Sequence, residues 1–192
     1  MPRLQIIIAS TRPNRVGLPV TEWFRSRAEA HGAFELETVD LAELALPMMD
    51  EPNHPRLQRY EHEHTKAWSA RVDAADAFVF VMPEYNHSYT APLKNAIDFL
   101  HVEWQGKPVG FVSYGGVAAG TRAVTSLEPV LTALRMAPIV NAVNLPFVAK
   151  LLGDDGELRP NDVSEQAATA LLDELVRVEA ALRPLRPVRS AA

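Results

Sequence analysis

The stretch "AFVFVMPEYNHSYTAPLKNAIDFL", residues 77–100, starts as an unbroken apolar run, crosses a loop bearing Tyr85, His87 and Tyr89 between Pro83 and Pro92, and ends in a helix-like segment. A strand that is apolar at every position is buried on both faces, as strands of a parallel sheet are. The prolines stiffen the two ends of the loop, and Pro92 stands where the first turn of a helix tolerates it. Taken alone, Tyr85 and Tyr89 read as well as covers over the core as they do as ligand contacts.

The same reading extends along the chain. Residues 4–9, led by "III", form another continuous apolar run, and residues 18–30 then carry Val20, Trp23, Phe24 and Ala28 at helical spacing. Residues 34–39, "FELETV", alternate like a strand nearer a sheet edge, and "DLAELALPMMDEPNHP" after them reads as a long irregular surface connection. Tyr60, His64, Trp68 and Val72, four apart, predict a helix over 60–75. A strand at 108–114, a helix at 121–135, a fifth strand at 139–143 and a last helix at 163–182 complete the pattern. Five strands alternating with helices predict an α/β fold with a five-stranded parallel sheet and helices on both faces. One domain is expected over residues 1–183, with a flexible Pro/Arg tail at 184–192.

Composition narrows the chemistry. The 192 residues are 47% hydrophobic with a net charge of -5, which suits one globular core and argues against nucleic acid or an anionic membrane as partner. With no cysteine, disulfides, thiolate nucleophiles, iron–sulfur ligation and cysteine-type zinc sites are excluded, so redox chemistry requires a cofactor. No run approaches the ~20 apolar residues of a membrane span, and the first apolar run reads as a core strand and not as a secretory signal. A cytoplasmic protein is expected.

In doubly wound sheets ligands bind beyond the carboxyl ends of the strands. Three loops lie there. The first, "ASTRPNRVGLP", offers the hydroxyls of Ser10 and Thr11, the charges of Arg12 and Arg15, and the amides of Val16, Gly17 and Leu18 near a helix start, a set suited to a phosphate. The second carries Tyr85, able to pack on a flat ring, and Asn86, able to hydrogen-bond it. The third, "SYGGVAAG", places adjacent glycines after a buried strand, where backbone amides can approach a ligand. Each loop has a plain structural reading; the pointer to a site is their conjunction.

Other motifs fail. The first turn has only Gly17 where a dinucleotide fingerprint needs G-x-G-x-x-G, and "GGVAAGTR" has Thr121 at the lysine position of a P-loop and Arg122 at its Ser/Thr position. His54, His62 and His64 invite a metal, but two residues apart on a helix point about 200° apart, and "EHEH" is not H-E-x-x-H. No metal is expected. No G-x-S-x-G elbow follows a strand, which removes that form of serine hydrolysis.

The segments "IIIASTRPNRVG", "EHTKAWSARVDAADAFVFVMPEYNHSYTAPLKNAIDFL" and "GKPVGFVSYGGVAAG" together resemble the NADPH-dependent FMN reductase family, the flavodoxin-like group that includes quinone, azo-dye and chromate reductases. The resemblance implies a flavodoxin-like three-layer sandwich. It assigns the FMN phosphate to Ser10, Arg12, Val16 and Gly17, with Arg15 a weaker candidate, and the isoalloxazine ring and ribityl chain to Pro83, Glu84, Tyr85, Asn86 and His87. It assigns the far ring edge to Ser113, Tyr114, Gly115 and Gly116. The first loop has Arg15 and Gly17 where the commoner S-x-R-x-x-S-x-N form has serine and asparagine.

The implied activity is transfer of hydride from NADPH or NADH through FMN to a small-molecule electron acceptor, such as a quinone, azo compound or free flavin, by a ping-pong mechanism. No protein acid or base is required; stacking geometry and charge stabilisation at the flavin are, with amides around Gly115 and Gly116 the candidates for the latter. The alternatives are an electron carrier of flavodoxin type and a flavin-based sensor, each acting through a protein partner. The resemblance also implies a homodimer or homotetramer, and the apolar side chains of Ile97, Phe99, Leu100 and Trp104 are expected to serve that interface.

Overall fold

The computed structural model describes residues 1–186. Its strands are β1 (Arg3–Ile8), β2 (Glu35–Asp40), β3 (Ala77–Pro83), β4 (Pro108–Tyr114), β5 (Ala137–Pro138) and β6 (Val143–Leu145). Its helices are α1 (Gly17–His31), α2 (Leu41–Leu44), α3 (Glu63–Ala74), α4 (Ala91–Asp98), α5 (Thr121–Ala133) and α6 (Asp162–Leu182). The strands form one parallel sheet in the order β2-β1-β3-β4-β5, with β6 also pairing β4. The chain runs outward from β1 to β2 and returns to β3 on the other side of β1, so the order reverses between β1 and β3.

Alternation along each strand builds two cores. Phe78, Phe80 and Met82 of β3 face α3, α4 and α5 among Trp68, Leu93, Ile97, Trp104 and Leu127, while Ala77, Val79 and Val81 face α1 and α6 among Val20, Phe24, Leu171 and Leu172. Two indoles anchor α4: Trp68 Nε1 donates to the Ala96 carbonyl at 2.8 Å and Trp104 Nε1 to the Ile97 carbonyl at 3.2 Å, which satisfies acceptors the helix end leaves open. Ile97, Phe99, Leu100 and Trp104 are thus interior to this chain, each at most 1% exposed. They are not the surplus apolar surface expected for a subunit interface.

Three further expectations are corrected. The fifth strand is not a run over 139–143 but two short pieces, β5 and β6, both paired with β4. Between them Val140 is 89% exposed, and the N–H groups of Val140 and Asn141 turn to the Glu174 carboxylate on α6 at 3.4 and 2.7 Å. The Ala137 and Ile139 N–H groups on either side of Pro138 donate to the Lys107 and Val109 carbonyls of β4, so the missing N–H of Pro138 falls on the open edge, where it is tolerated, and the ladder stops only after Ile139. Helix α3 begins at Glu63, so Tyr60 and His62 precede it. Tyr60 instead donates its hydroxyl to buried Glu103 at 2.8 Å, and the His62 ring stacks on His64 with centroids 5.2 Å apart instead of pointing away. The irregular connection after β2 contains α2 and a 3-10 turn, Pro55–Leu57.

The expected tail starts too early. Arg183–Leu185 form a 3-10 turn, and Arg186 binds Asp76 Oδ1 at 2.6 Å and buried Glu179 at 2.8 Å. Residues 187–192 lie outside the described residues. For Asp76, burial acts to raise the carboxyl pKa, but the Arg3 N–H and the Arg186 guanidinium outweigh it and hold the group below its ordinary value. A carboxyl depressed in the folded state contributes stability that is complete above about pH 4 and is lost as pH falls through the folded value. Asp76→Asn should therefore lower urea stability by ~1 kcal/mol at pH 7 and make the decline between about pH 5 and 2 shallower than in the wild type.

Candidate functional site

The carboxyl ends of β1, β3 and β4 lie side by side, Ile8 beside Val81 and Pro83 beside Tyr114, so the three loops leave one edge of the sheet. Short bonds hold them in register. Ala9 N–H donates to the Val81 carbonyl at 3.0 Å, and the Thr90 hydroxyl, buried at the start of α4, donates to the Ala9 carbonyl at 2.7 Å. The Glu84 N–H donates to the Tyr114 carbonyl at 3.2 Å.

In the first loop, α1 starts without a capping side chain: Val16 occupies the N-cap, whereas Asp40, Thr90 and Asn161 cap α2, α4 and α6. The opening N–H groups of a helix carry a partial positive charge and need acceptors. Among the described residues, Arg12 makes no ion pair or hydrogen bond and stands exposed beside this helix start. Arg15 is differently placed. Its guanidinium pairs with Asp40, which closes β2 and caps α2 through its other oxygen, and its buried Nε has no partner among the described residues. Of the two arginines read as phosphate candidates, one is engaged with Asp40 and the other is free.

The second loop turns tightly. Tyr85 and Ser88 exchange backbone hydrogen bonds at 2.9 and 3.0 Å around Asn86 and His87, both at positive φ, which is the geometry of a type I′ turn. Asn86 and His87 are consequently exposed at the tip. Tyr85 leans back, its hydroxyl 2.9 Å from Ser10 Oγ, so its phenol spans from the second loop to the first. Tyr89 packs on the core beneath. Glu84 receives Arg122 Nε at 2.6 Å from the first turn of α5, and that bond holds its carboxyl below the usual range against partial burial. Its side chain is therefore a clamp between the second and third loops.

In the third loop the groups divide between those the fold uses and those it leaves open. Ser113 is buried, with Oγ 2.8 Å from both the Ala119 carbonyl and Asn144 Oδ1, so it supports the loop from below. The Gly115 N–H is spent on the Leu145 carbonyl. The N–H groups of Gly116, Val117 and Ala118 make no hydrogen bond among the described residues, so any amide stabilisation of a ligand falls to them. Neither Gly115 nor Gly116 has a positive φ; the glycine the backbone requires is Gly120, at φ +84°, where a Cβ would lie 2.8 Å from Ser113 Cβ and Tyr114 N. A Cβ on Gly116 would meet only open space. The Tyr114 phenol runs under the first loop, with the hydroxyl where a Cβ on Gly17 would come within 2.8 Å.

Asp40, Arg122, Asn144 and Phe147 belong to this edge and were not read from the sequence. Asp40 had a signal, since it stands three residues before Glu43 at the start of a short helix, the spacing of a cap. The others pair with residues far away in the chain, and no local pattern marks them. Phe147 is half exposed in a left-handed conformation, its N–H bonded to the Gly116 carbonyl.

Comparison with known proteins identifies the family. Residues 2–150 match the family described as NADPH-dependent FMN reductase. An NAD(P)H-dependent FMN reductase of Schizosaccharomyces pombe is 42% identical over 149 residues, 76% of this chain and 74% of that one. One of Saccharomyces cerevisiae is 35% identical over 165 residues, 80% and 86% of the two chains. Among solved structures, the flavoenzyme NAD(P)H:(acceptor) oxidoreductase FerB of Paracoccus denitrificans superposes with a TM-score of 0.73, covering 95% of this chain and 99% of its own at 21% identity, a likeness of fold.

The two glycines should separate in experiment. Gly120→Ala is expected to cost ~2 kcal/mol or more through strain and contact. Gly116→Ala should change stability by less than ~0.5 kcal/mol, urea midpoints at unchanged slope being the readout.

Proposed function

The chain belongs to the NADPH-dependent FMN reductase family, and from that premise we propose that the three-loop edge holds FMN and passes hydride from NAD(P)H to a small electron acceptor. The observation that carries this reading is the uncapped start of α1 beside an unpaired Arg12, on the same sheet edge as the free amides at 116–118. The residues fit the cofactor. Ser10, Arg12, Val16 and Gly17 would take the phosphate, with Arg15, one terminal nitrogen of which is bound to Asp40, a weaker candidate through its charge and its open Nε. Residues 83–87 would line the ring and ribityl chain, and Gly116, lacking a Cβ in open space, would let the backbone approach the ring edge.

Bound there, FMN supplies the hydride chemistry, and the protein supplies geometry and charge. The Glu84–Arg122 pair fixes the spacing of the second and third loops, and the Ser10–Tyr85 bond fixes the first against the second. The amides of Gly116 to Ala118, free of hydrogen bonds among the described residues, would offer partial positive charge to the flavin edge where negative charge builds. The central step, as proposed, requires no protein acid or base.

Quinones, azo compounds and free flavin are the proposed acceptors, taken in turn with NAD(P)H on one face in a ping-pong cycle. A homodimer or homotetramer and a cytoplasmic location belong to the same proposal. Support for an oligomer comes from the family resemblance alone, since the apolar residues expected at its interface are in the core. No helix among the described residues is long and apolar enough to cross a membrane. The carrier and sensor readings have less support, because the similar proteins bear the names of reductases.

Purified protein should carry a yellow flavin spectrum that anaerobic NADPH bleaches; a colourless protein that FMN cannot reconstitute contradicts the proposal. Arg12→Ala should weaken FMN binding by ~10- to 100-fold, the size of a hydrogen bond to a charged group, and Arg15→Ala should weaken it less.

A further inference from the structure

Tyr114 presents a buried donor that the protein itself leaves unused. The residue is 5% exposed, yet its hydroxyl makes no hydrogen bond of normal geometry among the described residues; Ser10 stands near enough to act weakly on it, but Ser10 Oγ is bonded to Tyr85. Leaving a buried donor unpaired forfeits the hydrogen bond it had with water, so such a group in a native protein calls for a missing acceptor. Its position says where that acceptor belongs. The hydroxyl sits against the Cα of Gly17, the first residue of α1, within electrostatic reach of Arg12 and Arg15 and close to Ser10, whose Oγ is engaged with Tyr85 instead. It lies under the uncapped helix start, on the side away from solvent. Burial first, and then Tyr85, push the phenol above its ordinary pKa, so it stays a neutral donor throughout the accessible pH range.

We propose that the Tyr114 hydroxyl is the floor of the phosphate seat, donating to a phosphate monoester from beneath while Arg12 and the α1 amides hold it from above, and so distinguishes FMN from riboflavin. The inference rests on the FMN reading of the site but concerns a residue that the sequence motif places elsewhere, at the ring edge. Gly17 is part of the same device. A side chain there would occupy the volume of the Tyr114 hydroxyl, so loss of the Cβ is what admits a phenol under the helix.

The test is Tyr114→Phe, which keeps the ring and removes only the oxygen. Titration of apoprotein with FMN and with riboflavin, read by quenching of flavin fluorescence, should show FMN affinity reduced by about 10-fold or more and riboflavin affinity changed by less than about twofold. The apo variant should melt at the wild-type temperature or above it, because an unpaired hydroxyl has been removed. Equal losses for both flavins, or no loss for FMN, would overturn the inference. A wild-type protein that binds neither flavin would overturn the underlying FMN reading instead. A double-mutant cycle adds an independent check: Gly17→Ala should destabilise the wild-type apoprotein and do so less in the Tyr114→Phe background, and additive effects would contradict the stated contact.

Discussion

Burial of β1 and β3 on both faces is the constraint on which the rest depends. A strand packed by helices above and below can be joined to a parallel neighbour only through a crossover, so every β-to-α connection leaves the same edge of the sheet. Because the strand order reverses between β1 and β3, the first loop leads to α1 on one face and the second to α4 on the other. The gap between them is a property of topology, whatever residues fill it. Function enters with what those residues leave unsatisfied: an uncapped helix, a lone arginine, free amides, and a phenol with no acceptor.

The site balances groups that the protein pairs against groups that it leaves open. Paired groups set the frame. Arg15 with Asp40, Arg122 with Glu84, Thr90 with Ala9 and Ser113 with Asn144 each join two elements at the sheet edge. The Glu84 side chain is only 8% exposed, but Arg122 is 47% exposed, so the pair contributes modestly to stability. Its value to the site is to hold two loops at one spacing, since a displacement of about 1 Å at a reacting centre can cost about 100-fold in rate.

Much of this was legible in the sequence. Unbroken apolar runs located β1, β3 and β4, and helical spacing located α1 and most of α3, because two buried faces and one buried face leave different periods. The three loops followed from the topology those elements require. What the sequence hid are relations between distant residues. Nothing local distinguishes Arg12, left free, from Arg15, turned to Asp40, or shows that the Tyr114 phenol passes beneath Gly17. Ile97, Phe99, Leu100 and Trp104 exceeded what one helix face needs because Trp68, Phe78 and Phe80 surround them from other elements, and the surplus lay inside the molecule. The fifth strand breaks after Ile139, where the Glu174 carboxylate takes the Val140 and Asn141 amides.

The central claim is that one ligand engages all three loops at the carboxyl edge of the sheet. Amide hydrogen exchange of the apoprotein with and without FMN tests it directly. Protection should appear together at residues 10–18, 84–88 and 115–118 and leave the opposite edge, around Gly106 and Lys107, unchanged. Protection confined to another surface, such as the cleft of ≈ 400 Å³ between α1 and Leu158, would contradict it.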